Sequence, residues 1–323
     1  MANIMINENC NQRCPYCFAA EFVNIRQNNM SYQAFVKAVE FIIDDEDENF
    51  RGRIGIIGGE PLLHPEFDKF ITYLINKEEI KRITVFTNGV LIKEHLEVLL
   101  NDKVTLLINV NSIEDVGKNN YYKTEEAIDL LVNKYGKKNH LTIGLNIYKN
   151  MDYSFFINMA EKYNLQRVRL SIVVPAYGTQ KKGLGHFIEL KDTVLKLTKG
   201  LLVRDIKFKF DCNLPTSCLW SEEDLNDMQL MGLCSQKRDL IPLGHSICSP
   251  VIDILPDLTI IRCFGLSDIT KVSIDNFDSI KALREYYVEH FDIPLSKQGI
   301  DNKCNACKLF PDKCFGGCLA NRI

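Results

Sequence analysis

Cys10, Cys14 and Cys17 stand at spacings of three and then two intervening residues, directly after a short apolar segment from Asn3 to Ile6. Three thiolates so spaced can hold three corners of a cubane iron–sulfur cluster. The fourth iron then has no protein ligand and is open to something else. The same three residues also fit a zinc site short of one ligand, or three buried thiols. A second group lies near the C-terminus. Cys304, Cys307, Cys314 and Cys318 follow one another with two, six and three residues between them, and Cys248 and Cys263 flank a Pro256-Asp257 turn. Of 12 cysteines in 323 residues, none lies between Cys17 and Cys212. The chain thus divides into a three-cysteine N-terminal part and a nine-cysteine C-terminal part.

Composition narrows what these cysteines can be. The chain shows no basic segment followed by an apolar core at its start, so no secretory signal is read and a cytoplasmic location is expected. Disulfides are rare in that compartment, which favours metal ligation or catalysis. With 46% hydrophobic and 25% charged residues the chain is of ordinary globular composition. No apolar run approaches the ~20 residues needed to span a membrane. A net charge of −3 gives no reason to expect nucleic acid. The run Asp44 to Glu48 reads as a solvated loop.

The elements that must position the cysteines alternate strand and helix from residue 3 to about 175. Strands are expected at Asn3–Ile6, Arg53–Ile57, Arg82–Thr87, Val104–Val110, Leu141–Ile147 and Arg167–Val173. Between them, helices carry apolar stripes such as Phe35, Val39 and Ile42 after the capping residue Ser31. Such alternation implies right-handed βαβ units and a parallel sheet, an α/β fold. Six units in this length suit an open, partial barrel. Ligands bind such sheets at the C-terminal ends of the strands. The unusual residues fall there: Cys10–Cys17 after strand one, Gly58-Gly59-Glu60-Pro61 after strand two, Asn88-Gly89 after strand three and Asn111-Ser112 after strand four. Beyond Pro175 a glycine-rich loop, a helix over Leu190–Thr198, a strand over Ile206–Phe210, a capping box at Ser221–Asp224, a hairpin at Val251–Arg262 and a helix at Ser279–His290 are expected.

The order of Cys10-x3-Cys14-x2-Cys17 and then Gly58-Gly59-Glu60-Pro61 resembles the radical S-adenosylmethionine (SAM) enzymes. Tyr16, just before the third cysteine, and His64, after the glycine motif, match as well. The resemblance covers roughly residues 3 to 175 and implies a partial (β/α)6 TIM-type barrel. It implies a [4Fe-4S] cluster on Cys10, Cys14 and Cys17, whose open iron is chelated by the amino and carboxylate groups of SAM. One electron cleaves SAM to methionine and a 5′-deoxyadenosyl radical, which takes a hydrogen atom from substrate. On this reading Gly58, Gly59, Glu60 and Pro61 approach SAM, with Glu60 accepting from its ammonium group, and Tyr16 offers an apolar face near adenine. Asn109, Asn111 and Ser112 are candidate SAM contacts at the fourth strand, and Asn146 and Arg169 at the fifth and sixth. For His64 a structural hydrogen bond is the expected role.

The C-terminal cysteines resemble the SPASM extension of that family, or its half-sized relative, the twitch domain. This implies one or two auxiliary [4Fe-4S] clusters. Cys248, Cys263 and Cys318 would serve the first, with Cys234 as a guess for its fourth ligand, and Cys304, Cys307 and Cys314 the second. Three departures stand out. The middle tail spacing is six, the expected hairpin glycine is replaced around Leu258, and the final cysteine of the pattern is missing. Zinc is the competing metal for the tail. Cys212 and Cys218 are ligands, hydrogen-atom donors or plain buried thiols. The boundaries expected are 1–178 for the core, 179–240 for a connecting region and 241–323 for the auxiliary module.

The resemblance implies an enzyme of radical peptide maturation, forming thioether or carbon–carbon crosslinks, epimerising or oxidising residues. It implies a flavodoxin- or ferredoxin-type reductant. The chain starts almost at its first strand, so a separate recognition protein or the C-terminal module is expected to hold a peptide leader. The alternatives are a small-molecule radical SAM dehydrogenase, such as one acting on an aminocyclitol, and a non-enzymatic iron–sulfur or zinc scaffold.

Overall fold

β1 (Ala2–Met5) is buried along its whole length, because it has neighbours on both edges and on both faces. β2 (Arg53–Ile57) and β8 (Asp253–Ile254) both pair with it in parallel, with Asn3 facing Gly55 on one side and Asp253 on the other. The structure is a computed structural model that describes residues 2–17, 19–20, 22–45, 47, 50–173, 183–210, 216–221, 223–224, 248, 250–311, 314 and 316–322.

 The expected helix beyond Asp224, residues 174–182 of the glycine-rich loop, Cys212 and Cys234 lie outside the described residues, while Gly185, expected in that loop, falls in a helix that starts at Leu184.

From β1 the sheet runs in chain order through β2, β3 (Arg82–Thr87), β4 (Val104–Asn109), β5 (Leu141–Ile147), β6 (Arg167–Ile172) and β7 (Lys207–Phe210), every pair parallel. On the other side of β1 come β8, β9 (Thr259–Ile261) and β10 (Val272–Ser273), the last two pairings antiparallel. The ten strands form one open sheet whose end strands are β10 and β7. This is the expected partial barrel, with one strand more. The residues from 179 on, expected to connect two modules, supply α7 (Leu184–Leu202) and the seventh parallel strand. Strand alternation in β7 is short and basic, so the sequence marks a strand there without marking its place.

Helices α1 (Tyr32–Ile43), α2 (Phe67–Asn76), α3 (Leu96–Leu99), α4 (Ile113–Val116), α5 (Lys118–Asp129), α6 (Ser154–Lys162) and α7 follow the strands. The Ser31 hydroxyl accepts from Ala34 N at 3.2 Å and opens α1 as its cap. Phe35 of α1 and Phe70 of α2 stack at 4.1 Å over the sheet's outer face. That face is built by every second residue: β4 buries Val104, Leu106 and Ile108 and turns Thr105, Leu107 and Asn109 the other way. The inner face is left for chemistry.

α8 (Ile280–Tyr287) packs the C-terminal hairpin into the same core. Ile254, Ile260, Leu283 and Tyr287 belong to one apolar cluster with Ile4, Ile54 and Phe35. Asp45 corrects the reading of the acidic run as wholly solvated. It is buried, and Arg284 of α8 grips it with two bonds, 2.6 and 2.5 Å. The hairpin turn holds Leu258 at a φ of 66°, the left-handed conformation a glycine adopts more easily.

Candidate functional site

The cysteine loop leaves β1 and is fastened at once to the turn after β2. Gly59 N donates to Asn7 O at 3.0 Å and Glu60 N to Asn9 O at 2.7 Å. Asn7 Nδ2 returns a bond of 2.9 Å to Glu60 O. A Cβ on Gly59 would lie 2.3 Å from Asn9 O, and one on Gly58 2.1 Å from Asn7 Oδ1. The glycine pair therefore admits the cysteine-bearing loop itself, where the sequence suggested a close ligand. Pro61 opens a single helical turn, Pro61–Leu63, capped by Glu60.

Glu60 is buried. Its Oε1 accepts from Thr87 Oγ1 at 2.7 Å and Leu62 N at 3.2 Å, and its Oε2 from Asn88 N at 2.7 Å. One lone-pair direction on Oε2 is left for a ligand donor. Burial pushes the carboxyl up from 4.5 to about 7, against the pull of those three bonds. His64 has the structural role expected of it. Its Nδ1 accepts from Glu66 N at 3.1 Å, which leaves Nε2–H to donate to Met30 O at 3.0 Å.

Asparagines complete the cradle. Asn88 Nδ2 donates to Asn11 Oδ1 at 2.7 Å. Asn111 accepts from the Tyr16 hydroxyl and donates to Gln12 Oε1 at 3.3 Å and Cys14 Sγ at 3.7 Å. Asn111, expected to meet a ligand, thus also grips the cysteine loop. One face of the Tyr16 ring is taken by Tyr148, stacked at 5.1 Å, and Tyr148 OH bonds Asp115 at 2.7 Å. Ser112 spends its hydroxyl on Asp115 N, 3.2 Å away, as the cap of α4.

The inner face of the sheet carries Asn109, Asn146, Arg169, Ser171 and Lys209 into one cavity of about 1050 Å³. Asn109, Gly144 and Arg169 are neighbours across β4, β5 and β6. Because Gly144 has no side chain, Arg169 Nη1 reaches over it to Asn109 Oδ1 at 3.3 Å. Sequence reading missed Ser171 and Lys209. The two-residue period would have found Ser171 from Arg169.

The same cavity is lined by Cys10, Cys14 and Cys17 and, further on, by Cys248, Cys263 and Cys318. Topology sets them at opposite ends. β8 runs parallel to β1, so Cys248 precedes it, and Cys263 follows the antiparallel β9, at the end where β1 begins. Cys10 lies beyond the end where β1 finishes. Cys304, Cys307 and Cys314 do not line the cavity. Cys314 is buried, Cys304 and Cys307 are half-buried, and Cys218 is exposed beside Thr216.

Burial pushes the Cys10 thiol up to about 12, the Cys14 thiol to about 11 and the Cys263 thiol to about 11; Cys17 and Cys318 move the same way. Mutual repulsion adds to the rise within each group. As thiolates these side chains need a cation among them, and metal ligation supplies one. Among the described residues no three His, Cys, Asp or Glu side chains gather round one point closely enough for a single metal ion. A cubane makes a different demand, since each thiolate binds its own iron. Cys10, Cys14 and Cys17 supply three such donors from one loop at the cavity, the kind of ligand an iron–sulfur cluster takes. Among the described residues no helix is long and apolar enough to cross a membrane.

Comparison with known proteins agrees. Residues 4–161 match the Radical SAM superfamily. A GTP 3′,8-cyclase of Thermodesulfovibrio yellowstonii is 38% identical over 101 residues, 30% of this chain and 30% of its own. One from Synechocystis is 23% identical over 226 residues, 67% of each. The chain thus spans about a third to two thirds of the length of these relatives. Among solved structures, Streptococcus suis SuiB bound to S-adenosylmethionine superposes with a TM-score of 0.65 at 18% identity, covering 99% of this chain and 73% of SuiB. SuiB bound to its precursor peptide SuiA matches at the same TM-score. The cysteine loop and the glycine–glutamate turn both lie within residues 4–161, the stretch of this chain that matches the radical SAM superfamily.

Proposed function

We propose that this chain cleaves SAM at the Cys10–Cys17 loop and uses the resulting radical on a peptide, with an auxiliary cluster on Cys248, Cys263 and Cys318. The observation that carries this is the single cavity reaching both cysteine groups. When bound, the first cluster supplies the electron that splits SAM into methionine and a 5′-deoxyadenosyl radical. The chain's residues do the rest. Glu60 and Asn88 fix the ends of β2 and β3 beneath the ligand. Asn109, Asn146 and Arg169 offer polar contacts along the cavity wall, and Tyr16 one free ring face. At about 1050 Å³ the cavity is at the upper end of the ~300–1,000 Å³ of usual small-molecule sites. That leaves room for a peptide side chain beside SAM. The fold shared with SuiB over nearly the whole chain supports the peptide reading. A flavodoxin- or ferredoxin-type protein would donate the electron, and a separate recognition protein would present the peptide.

A second reading has its own support. The sequence relatives named GTP 3′,8-cyclase point to a small molecule, and Arg169 and Lys209 in the cavity could meet a phosphate. The test is anaerobic incubation of the reduced, cluster-loaded protein with SAM and either GTP or candidate short peptides taken from open reading frames that flank its gene. Rapid 5′-deoxyadenosine formation with a modified peptide supports the first reading; turnover of GTP alone sinks it. Cys14→Ala should abolish SAM cleavage. Cys318→Ala should leave 5′-deoxyadenosine forming while modified product falls below detection.

A further inference from the structure

Between two of the cavity's cysteines sits a buried cation that the reading above does not use. Arg262 is fully buried. Its Nε and Nη2 meet the two carboxylate oxygens of Asp292, Nη2 at 2.8 Å. Nη2 also donates to the Cys248 carbonyl at 2.7 Å. Beyond these bonds the guanidinium reaches sulfur. Nη1 lies 3.5 Å from Cys248 Sγ and 3.8 Å from Cys263 Sγ, and Nη2 3.6 Å from Cys248 Sγ.

The surrounding elements hold this arrangement still. Asp292 comes from the helical turns that continue α8. Tyr287 of α8 sets its hydroxyl within 3.1 Å of Ile260 O and 3.0 Å of Thr270 O, which ties the helix to the hairpin. Arg262 N donates in turn to Thr270 Oγ1 at 3.2 Å. A guanidinium keeps its charge in a protein. Burying one is costly unless it is paired and bonded, and here the fork serves a carboxylate, a carbonyl and two sulfurs together. Donors to ligand sulfur, and nearby charge, set the potential of an iron–sulfur cluster.

We propose that Arg262 is a positioning residue that fixes Cys248 against Cys263 and raises the reduction potential of the cluster they hold. The inference rests on the auxiliary-cluster reading above. A cluster taking up one electron gains negative charge beside a permanent cation, so the cation favours the reduced state. Asp292 offsets part of that effect.

The experiment uses the full chain with Cys10, Cys14 and Cys17 all replaced by alanine, so that only C-terminal clusters remain. The protein is loaded anaerobically with iron and sulfide, analysed for both, and titrated with dithionite while the reduced cluster is followed by electron paramagnetic resonance. Arg262→Met should lower the midpoint, by about tenfold in the reduction equilibrium, ~59 mV for one electron. Arg262→Lys keeps the charge without the fork and should fall between. Asp292→Asn should move the midpoint the opposite way, which general loosening of the site would not do. Should Arg262→Met not fold, the Arg262→Lys and Asp292→Asn pair carries the test. Absence of iron and sulfide from the parent protein overturns the auxiliary-cluster reading and the inference with it. A loaded cluster whose midpoint is unmoved by these variants, or moved the same way by Arg262→Lys and Asp292→Asn, overturns the role of Arg262 alone.

Discussion

Glu60 shows how one side chain serves both fold and chemistry. It caps its own turn after β2 through Leu62 N and joins that turn to the end of β3 through two hydrogen bonds, from Thr87 Oγ1 and Asn88 N. Its raised pKa has a consequence for stability. The unfolded chain releases this proton near pH 4.5, while the folded chain keeps it up to about 7. The folded state binds more protons across that window, so its contribution to stability is full below pH 4.5 and is lost as pH rises through 7. Glu60→Gln places an amide donor against one of the donors around it and should cost about 1–3 kcal/mol. Urea unfolding from pH 4.5 to 7 should show both the loss and a flatter pH dependence; an unchanged slope would remove Glu60 as its source. The motif around Glu60 was legible in the sequence because its residue types are rare in that order. The dual duty of Asn111 was not, since a lone asparagine carries no sign of which partners the fold will bring to it.

At the scale of elements, the two-residue period made the barrel readable. Strands β1 to β6 lie close to where apolar alternation placed them. It did not reveal register, and register is what sets Gly144 between Asn109 and Arg169. A Cβ at Gly144 would stand 3.0 Å from Asn109 Oδ1 and 3.3 Å from Arg169 Cδ. Gly144→Val should push these two side chains apart, cost about 1–3 kcal/mol in overpacking, and weaken SAM binding at least several-fold. Equilibrium dialysis with labelled SAM checks this; unaltered affinity in the folded variant would show that the Asn109–Arg169 contact has no part in the ligand site. The acidic run after α1 was misread in part for a related reason. Charge alone does not tell that Arg284, 239 positions away, will fold back onto Asp45.

For the whole molecule, the C-terminal residues complete the barrel's sheet. β8 covers the edge of β1, and α8 adds Leu283 and Tyr287 to the common core. Removal of residues 241–323 should therefore leave β1 with an unpaired edge and a stripped core. Such edges recruit other chains. The shortened protein should aggregate or run as large oligomers on size exclusion; a stable monomer with normal SAM cleavage would mean that the barrel folds without its extension. Cysteine spacing foretold two groups of cysteines. It could not foretell that strand pairing would put both on one cavity, because β8 meets β1 only after some 250 residues of intervening chain.

With clusters at both cysteine groups, as proposed above, the double pairing of β1 would set how far an electron must tunnel. The two cysteine groups hang from opposite ends of strands locked side by side, so their separation is written in backbone hydrogen bonds. A slip of one residue between β1 and β8 would change it by roughly 3.3 Å, enough to alter a tunnelling rate steeply. Side chains along the cavity wall are released from that duty. They can be exchanged to suit a new substrate while the electronic gauge between the two ends stays the same.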